Sequence, residues 1–180
     1  MKTYGHFIHG REVPAANGET FPSYAPMTGE ILGHAARGTE ADVEAAVSSA
    51  RKGYEHWSSL PPYDREKILL KCADHVEANY DRLLNLLIDE SGSSIIKAKY
   101  EVLYTASVLR TAAGEVRRLY ADTLPNEKPH RMSMVVREPV GVVLAISPFN
   151  APLVLLAKMI VFPLGAGNAV IAKPSEETPL

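Results

Sequence analysis

The sequence predicts an α/β fold in which short strands and helices come first and a βαβ unit of a parallel sheet follows. Two observations carry this reading. Residues 4–35 are short extended pieces broken by turn residues, whereas a 3.6-residue apolar repeat sets in after Thr39. Two continuous apolar runs, Gly141–Ile146 and Asn168–Ala172, then flank a helical stretch near the C-terminal end. Runs of that kind suit strands covered on both faces, as parallel strands are.

Taken in order, the early pieces carry turn signals at Gly10, Asn17-Gly18 and Gly29, and Asn17-Gly18 predicts a hairpin. Thr39 with Asp42 three residues later opens a helix whose Val43, Ala46, Val47, Ala50, Tyr54 and Trp57 share one face. Pro61 and Pro62 close that connection. The next helix carries Leu69, Cys72, Ala73, Val76, Tyr80, Leu83, Leu84 and Leu87 on one stripe and stops near Ser91-Gly92. A third, Ile95–Tyr120, aligns Val102, Ala106, Leu109, Ala113, Val116 and Tyr120. Thr123–Lys128 reads as a turn and Met132–Arg137 as an extended piece. Pro152–Leu164 is the helix between the two apolar strands, and Gly165-Ala166-Gly167 ends it. The final KPSEETPL reads as a strand end running into a helix start, with Ser175 or Thr178 able to cap and Pro179 suited to a first helical position. A helix start without a body predicts a truncated chain.

Bulk composition excludes several classes of function. The chain has 180 residues, 46% of them hydrophobic, enough for one globular domain with a real core. Nineteen Lys and Arg against 21 Asp and Glu, a formal net charge of −2, leave no basic excess to draw nucleic acid or an anionic membrane. No run reaches membrane-spanning length, and the first residues lack the apolar core of a signal peptide. A single cysteine points to no oxidising compartment. The expected location is cytoplasmic.

Connectivity places the polar residues. In open parallel sheets, ligands bind beyond the carboxyl ends of the strands. The first strand delivers Ser147-Pro148-Phe149-Asn150 there, and the second delivers Lys173-Pro174-Ser175-Glu176. Lys173 and Glu176 suit a dinucleotide ribose, since a carboxylate accepts from its hydroxyls and an ammonium donates. On position alone they suit a solvated loop better, since charged loop residues are usually surface residues. Asn150, two residues from Pro148 and from Pro152, is either a neutral donor held toward a developing oxyanion or a turn asparagine bonded to its own backbone. Elsewhere, Cys72 reads as a buried core thiol. His6 and His9 lie three apart in a strand, on opposite faces, and His34, His56, His75 and His130 have no partners at ligand spacing, so no metal site is predicted. Gly165-Ala166-Gly167 lacks the third glycine of a dinucleotide fingerprint.

The local words go further. EPVGVVLAISPFNAPL and KMIVFPLGAGNAVIAKPSEETPL resemble the aldehyde dehydrogenase superfamily. The matching elements are Pro139-Val140-Gly141-Val142, Pro148 through Pro152, Lys158, Gly167-Asn168, and Lys173 through Pro179. Upstream, APMTGE and the EADVEAAVSSARKGYEHW and REKILLKCADHVEANYDRLLNLLIDESG helices are similar in order to the family's N-terminal region.

The resemblance implies a Rossmann-like sheet of which this is the first βαβ unit. Residues 1–180 would be the N-terminal part of the NAD(P)-binding domain, without the catalytic domain. It implies that Asn150 holds the aldehyde oxygen as it becomes an oxyanion, and that Ile146, Ser147, Pro148 and Phe149 line the cofactor cleft. Lys173 and Glu176 would meet the adenosine ribose, with Ser175 beside them. A carboxylate at 176 favours NAD by repelling a 2′-phosphate, although the same motif also occurs in members that take NADP. The implied reaction is thiolate attack on an aldehyde, hydride transfer and thioester hydrolysis, with the nucleophilic cysteine and base glutamate outside these residues. The chain alone is therefore expected to be inactive. Glu90-Ser91-Gly92-Ser93-Ser94, where many members have Gly-Lys, resembles aromatic-aldehyde members such as vanillin or benzaldehyde dehydrogenases. Residues 121–138 resemble the strand extension used in oligomer contacts, implying a homo-oligomer, dimer or tetramer, at full length. Two other readings stay open: an acylating relative that passes the acyl group to coenzyme A, and a short non-catalytic protein that binds a nucleotide or a protein partner.

Overall fold

The computed structural model describes residues 1–180. Five short strands come first: β1 (Thr3–Tyr4), β2 (His6–Ile8), β3 (Arg11–Val13), β4 (Thr20–Tyr24) and β5 (Ile31–Ala36). Four helices follow: α1 (Glu40–Ser59), α2 (Pro62–Ala78), α3 (Tyr80–Ser91) and α4 (Ile95–Glu115). A strand pair, β6 (Asp122–Leu124) and β7 (Ser133–Val135), leads to β8 (Val142–Ile146), α5 (Pro152–Gly165) and β9 (Ala169–Lys173). β5 lies between β1 and β4, β2 pairs with β3, β6 with β7, and β8 runs parallel to β9.

The predicted hairpin forms elsewhere. Asn17-Gly18 is a tight turn, with Gly18 N–H donating to Ala15 O at 2.8 Å, but the strands it joins belong to different sheets. The two-residue hairpin loop is His9-Gly10, with φ of 54° and 73°, the left-handed pair that a type I′ turn requires. His9 is therefore a loop residue and not a strand partner of His6.

Helix boundaries follow local chemistry. Thr39 and Asp42 form the expected capping box at the start of α1. Val43 is exposed, so the apolar stripe of α1 begins only at Ala46, and it is half-buried throughout. The long helix expected through Leu87 is two helices, α2 and α3, broken at Asn79. Asn79 has φ of −105° and ψ of 21°, off the helical values, and its side-chain amide shares His75 O with its own backbone N–H, at 2.9 and 3.2 Å. α3 ends on Gly92 at φ 63°, and a side chain there would also meet Pro26 at 3.0 Å. α4 tightens into a 3₁₀ turn at Val116–Arg118, which leaves Tyr120 exposed and off the stripe. The last residues, 174–180, form a turn and no helix.

α4 is the spine of the fold. Its Val108, Leu109, Ala112 and Ala113 meet Leu69 and Ala73 of α2 and Val154 and Val161 of α5 in the main core. Toward its N-terminal end, Ala98 and Val102 pack on Leu84 and Leu87 of α3. Each fully buried leucine or valine contributes roughly 1.5–3 kcal/mol. Cys72 is exposed, because the buried side of α2 runs through Arg65, Leu69 and Ala73 and leaves position 72 on its flank. Partial shielding by its neighbours still raises the thiol pKa.

Candidate functional site

The parallel pair β8–β9 sets the geometry of one edge. Ile146 stands opposite Lys173, and Ser147 N–H donates to Lys173 O at 3.0 Å, so both strands end at the same level. Adjacent strands lie about 4.8 Å apart. The turn after β8 and the turn after β9 therefore leave the sheet side by side.

Each predicted residue has a definite place there. Ile146, Pro148, Phe149 and Asn150 are exposed. Alternation along β8 turns Ala145 to the core and Ile146 away from it. Ser147 is buried, and its hydroxyl lies 3.2 Å from Pro148 O and 3.4 Å from Pro152 O, so it braces the turn from within. Asn150 makes no side-chain hydrogen bond to its own backbone or to any other protein group, unlike an ordinary turn asparagine.

On the neighbouring turn, Lys173 Nζ donates to Pro174 O at 3.1 Å and lies 3.5 Å from Glu176 Oε2. The Glu176 carboxyl is held below the ordinary glutamate range, first by its own backbone N–H and then by Lys173. It is an anion throughout the neutral range. Ser175 is buried, and its hydroxyl accepts from Glu177 N–H at 3.2 Å. Ser147 and Ser175 thus hold the two turns in shape, while Asn150, Lys173 and Glu176 stand free of the core. The edge offers a neutral double donor, an ammonium beside a carboxylate, and apolar surface from Ile146 and Phe149.

Several buried polar residues that hold the βαβ unit at its two ends escaped the sequence reading. Glu101 of α4 is 1% exposed, and its Oε1 accepts from Leu153 N–H at 2.9 Å and Val154 N–H at 3.3 Å, at the start of α5. Arg65 of α2 donates from Nε to Gly165 O at 3.3 Å and from Nη1 to Leu60 O at 2.5 Å. Glu90 accepts from Ser23 Oγ at 2.8 Å and from Leu180 N–H at 2.9 Å, tying the turn after β9 to the end of α3; burial pushes its carboxyl pKa up. A signal existed for two of the buried polar residues. Glu101 and Thr105 fall on the apolar stripe of α4 at helical spacing, and a charge on such a stripe marks a paired buried group.

No three His, Cys, Asp or Glu side chains gather to hold a metal ion. No helix is long and apolar enough to cross a membrane.

A βαβ unit whose free polar groups collect at the carboxyl ends of two parallel strands defines an α/β protein of the open parallel-sheet class. The model of the Aldehyde dehydrogenase family matches residues 13–180. The vanillin dehydrogenase of Pseudomonas fluorescens is 35% identical over 172 residues, covering 96% of this chain and 36% of that protein. A crystal structure of a salicylaldehyde dehydrogenase from Pseudomonas putida G7, complexed with salicylaldehyde, superposes with a TM-score of 0.96 at 31% identity over 99% of this chain and 37% of that one. That of an NAD-dependent benzaldehyde dehydrogenase from Corynebacterium glutamicum gives 0.93 at 30% identity, covering 98% and 38%. The chain belongs to the aldehyde dehydrogenase family, and it spans about a third of the length of these relatives.

Proposed function

We propose that this chain forms the cofactor-ribose and oxyanion edge of a nicotinamide-dependent aldehyde dehydrogenase, as the N-terminal part of its NAD(P)-binding domain. The observation that supports the reading is the shared carboxyl end of β8 and β9, from which the turn with the unbonded Asn150 amide and the turn with the Lys173–Glu176 pair both leave.

The residues fit the cofactor. Glu176 would accept from ribose hydroxyls, Lys173 would donate to them, and Ile146 and Phe149 would cover the apolar parts. When bound, the nicotinamide supplies the hydride acceptor. Asn150 donates from a neutral amide to the carbonyl oxygen as negative charge gathers on it, without bringing a proton that could be lost. Cys72 fits no nucleophile role: it lies midway along α2, and its raised pKa keeps it a thiol at neutral pH. Turnover therefore needs a thiolate and a base that these residues do not supply.

Glu176 favours NAD, since an anion there repels a 2′-phosphate. The names of the relatives, vanillin, salicylaldehyde and benzaldehyde dehydrogenases, support an aromatic aldehyde as substrate. The exposed β6–β7 pair, with Met132, Met134 and Val136 uncovered, suits contact with a second copy.

Titration of the chain with NAD, followed by ¹⁵N–¹H spectra, tests the reading. NAD should shift Ile146, Phe149, Lys173 and Glu176 selectively, NADP should bind more weakly, and Glu176→Gln should narrow that gap. Shifts confined to other surfaces, or no shifts at millimolar NAD, would sink it. The same chain mixed with NAD and benzaldehyde should produce no NADH.

A further inference from the structure

α5 has no cap of its own. Its N-cap position is Ala151, which carries no acceptor, and Pro152 opens the helix. The first N–H groups of a helix need acceptors from outside it. Here both come from Glu101, which reaches over from α4 to Leu153 and Val154. Its second oxygen lies 3.2 Å from Lys97 Nζ; that ammonium also donates to Ser93 Oγ at 2.6 Å, and Ser93 Oγ lies 2.7 Å from Ser91 Oγ. A carboxylate this deep persists only where partners offset its lost hydration. Two amides, an ammonium and the positive pole of α5 do so together.

The turn itself shows why an outside cap matters. Proline fixes φ only at 148 and 152, and Phe149, Asn150 and Ala151 lie between them. Ala151 sits at φ −152°, ψ 69°, outside the helical region. Asn150 makes no side-chain bond, so only its backbone can aim the amide. Ser147 braces the turn from within, at Pro148 O and more loosely at Pro152 O, and beyond Pro152 the first free amides of the helix are held by Glu101.

We propose that Glu101 is a positioning residue: it caps α5 from the neighbouring helix and thereby fixes the turn that presents Asn150, with Lys97 and Ser93 keeping its carboxylate in register. The role of the turn rests on the reading of Asn150 given above; the cap itself does not. The Ser91–Ser93–Lys97 chain gives the serine-rich stretch after α3 a physical task, because it orients a group that acts on the site from behind.

Amide exchange and ¹⁵N–¹H spectra of the 180-residue chain test this without cofactor or substrate. Glu101→Met keeps the side-chain length and removes the acceptor. Leu153 and Val154 should then exchange roughly tenfold faster relative to Leu69 and Ala113 in the main core, and the side-chain NH₂ signals of Asn150 should shift. Adding Ala151→Ser supplies a local N-cap hydroxyl and should restore both readouts. A residue that merely packs α4 on α5 would not be rescued from position 151. Should Glu101→Met fail to fold, Glu101→Gln keeps one neutral acceptor and should show the same pattern at roughly threefold. Unchanged exchange at Leu153 and Val154, or loss spread evenly over α4 and α5 that Ala151→Ser does not reverse, overturns the proposal. Absence of NAD-induced shifts in a chain that passes these tests would instead overturn the site reading and leave the cap standing.

Discussion

The two ends of the β8–α5–β9 unit are built from the same elements and treat their polar groups in opposite ways. At the amino end of the strands the polar groups are taken up by partners within the fold. Asn168 accepts from Gly141 N–H at 3.0 Å and donates to Pro163 O at 3.0 Å, Trp57 Nε1 donates to Leu164 O at 2.8 Å, and Arg65 reaches Gly165 O. At the carboxyl end, Asn150 makes no side-chain bond, and Lys173 bonds only within three residues of itself. α5 joins the two ends with charge of the right sign at each pole, Glu101 at its N-terminus and Arg65 at its C-terminus. One end secures the unit, and the other leaves these polar side chains free of the fold, as the proposed function needs.

The sharpest break of this contrast comes at Arg65. Its guanidinium is buried without a carboxylate partner, and desolvation lowers its pKa; backbone carbonyls take the place of a counter-ion. Arg65→Met fills the space and leaves Gly165 O and Leu60 O unpaired. The expected loss is about 3 kcal/mol, seen as a fall of roughly 10 °C in the thermal midpoint. A change under about 1 kcal/mol would show that water replaces the guanidinium freely and that this end is less closed than described.

A smaller loss is expected at Asn168. Asn168→Ala removes one acceptor and one donor and strands Gly141 N–H, while Pro163 O keeps the backbone N–H of residue 168; the expected cost is about 2 kcal/mol in denaturant unfolding. The βαβ unit should loosen at the start of β9 first, because Gly141 and Asn168 together set the strand register.

Glu90 tests the anchor beneath the free end through pH. Burial raises its folded-state pKa above the unfolded value, so the folded chain holds that proton more tightly. The associated stability is fully present below the unfolded glutamate pKa and is lost as pH rises through the folded one. The thermal midpoint should fall across that window, and Glu90→Gln should flatten the slope while keeping an acceptor for Ser23 and Leu180. An unchanged slope in Glu90→Gln would assign the pH dependence to another group.

What was legible in the sequence follows the same division. Periodicity exposed β8, α5 and β9, because continuous apolar runs and a 3.6 repeat are one-dimensional signals. Connectivity then placed Asn150 and Lys173 at one edge, since parallel strands joined by a helix must end together. The break at Asn79 was hidden, because the apolar stripe runs across it and the change lies in the backbone angles of one residue. Glu101, Arg65 and Glu90 were hidden for a different reason. Apart from the Leu60 carbonyl and Lys97, their partners lie between 52 and 100 residues away, and no spacing rule reaches that far. A charge on an apolar stripe, as at Glu101, was the one trace they left.

The smallest expected effect is the most informative, because it repeats one chemical change at the opposite end. Asn150→Ala deletes the same amide as Asn168→Ala. At position 150 the side chain is exposed and bonds to nothing in the protein, so the stability change should stay within about 0.5 kcal/mol. Prolines at 148 and 152 limit what the backbone gains in the unfolded state, which keeps the two variants comparable. Leu153 and Val154 should keep their slow exchange, since Glu101 and not Asn150 supplies their acceptor. A loss approaching that of Asn168→Ala would mean that the Asn150 amide holds the turn together. It would then be unavailable to a carbonyl oxygen, and the carboxyl end would be tied into the fold no less than the amino end.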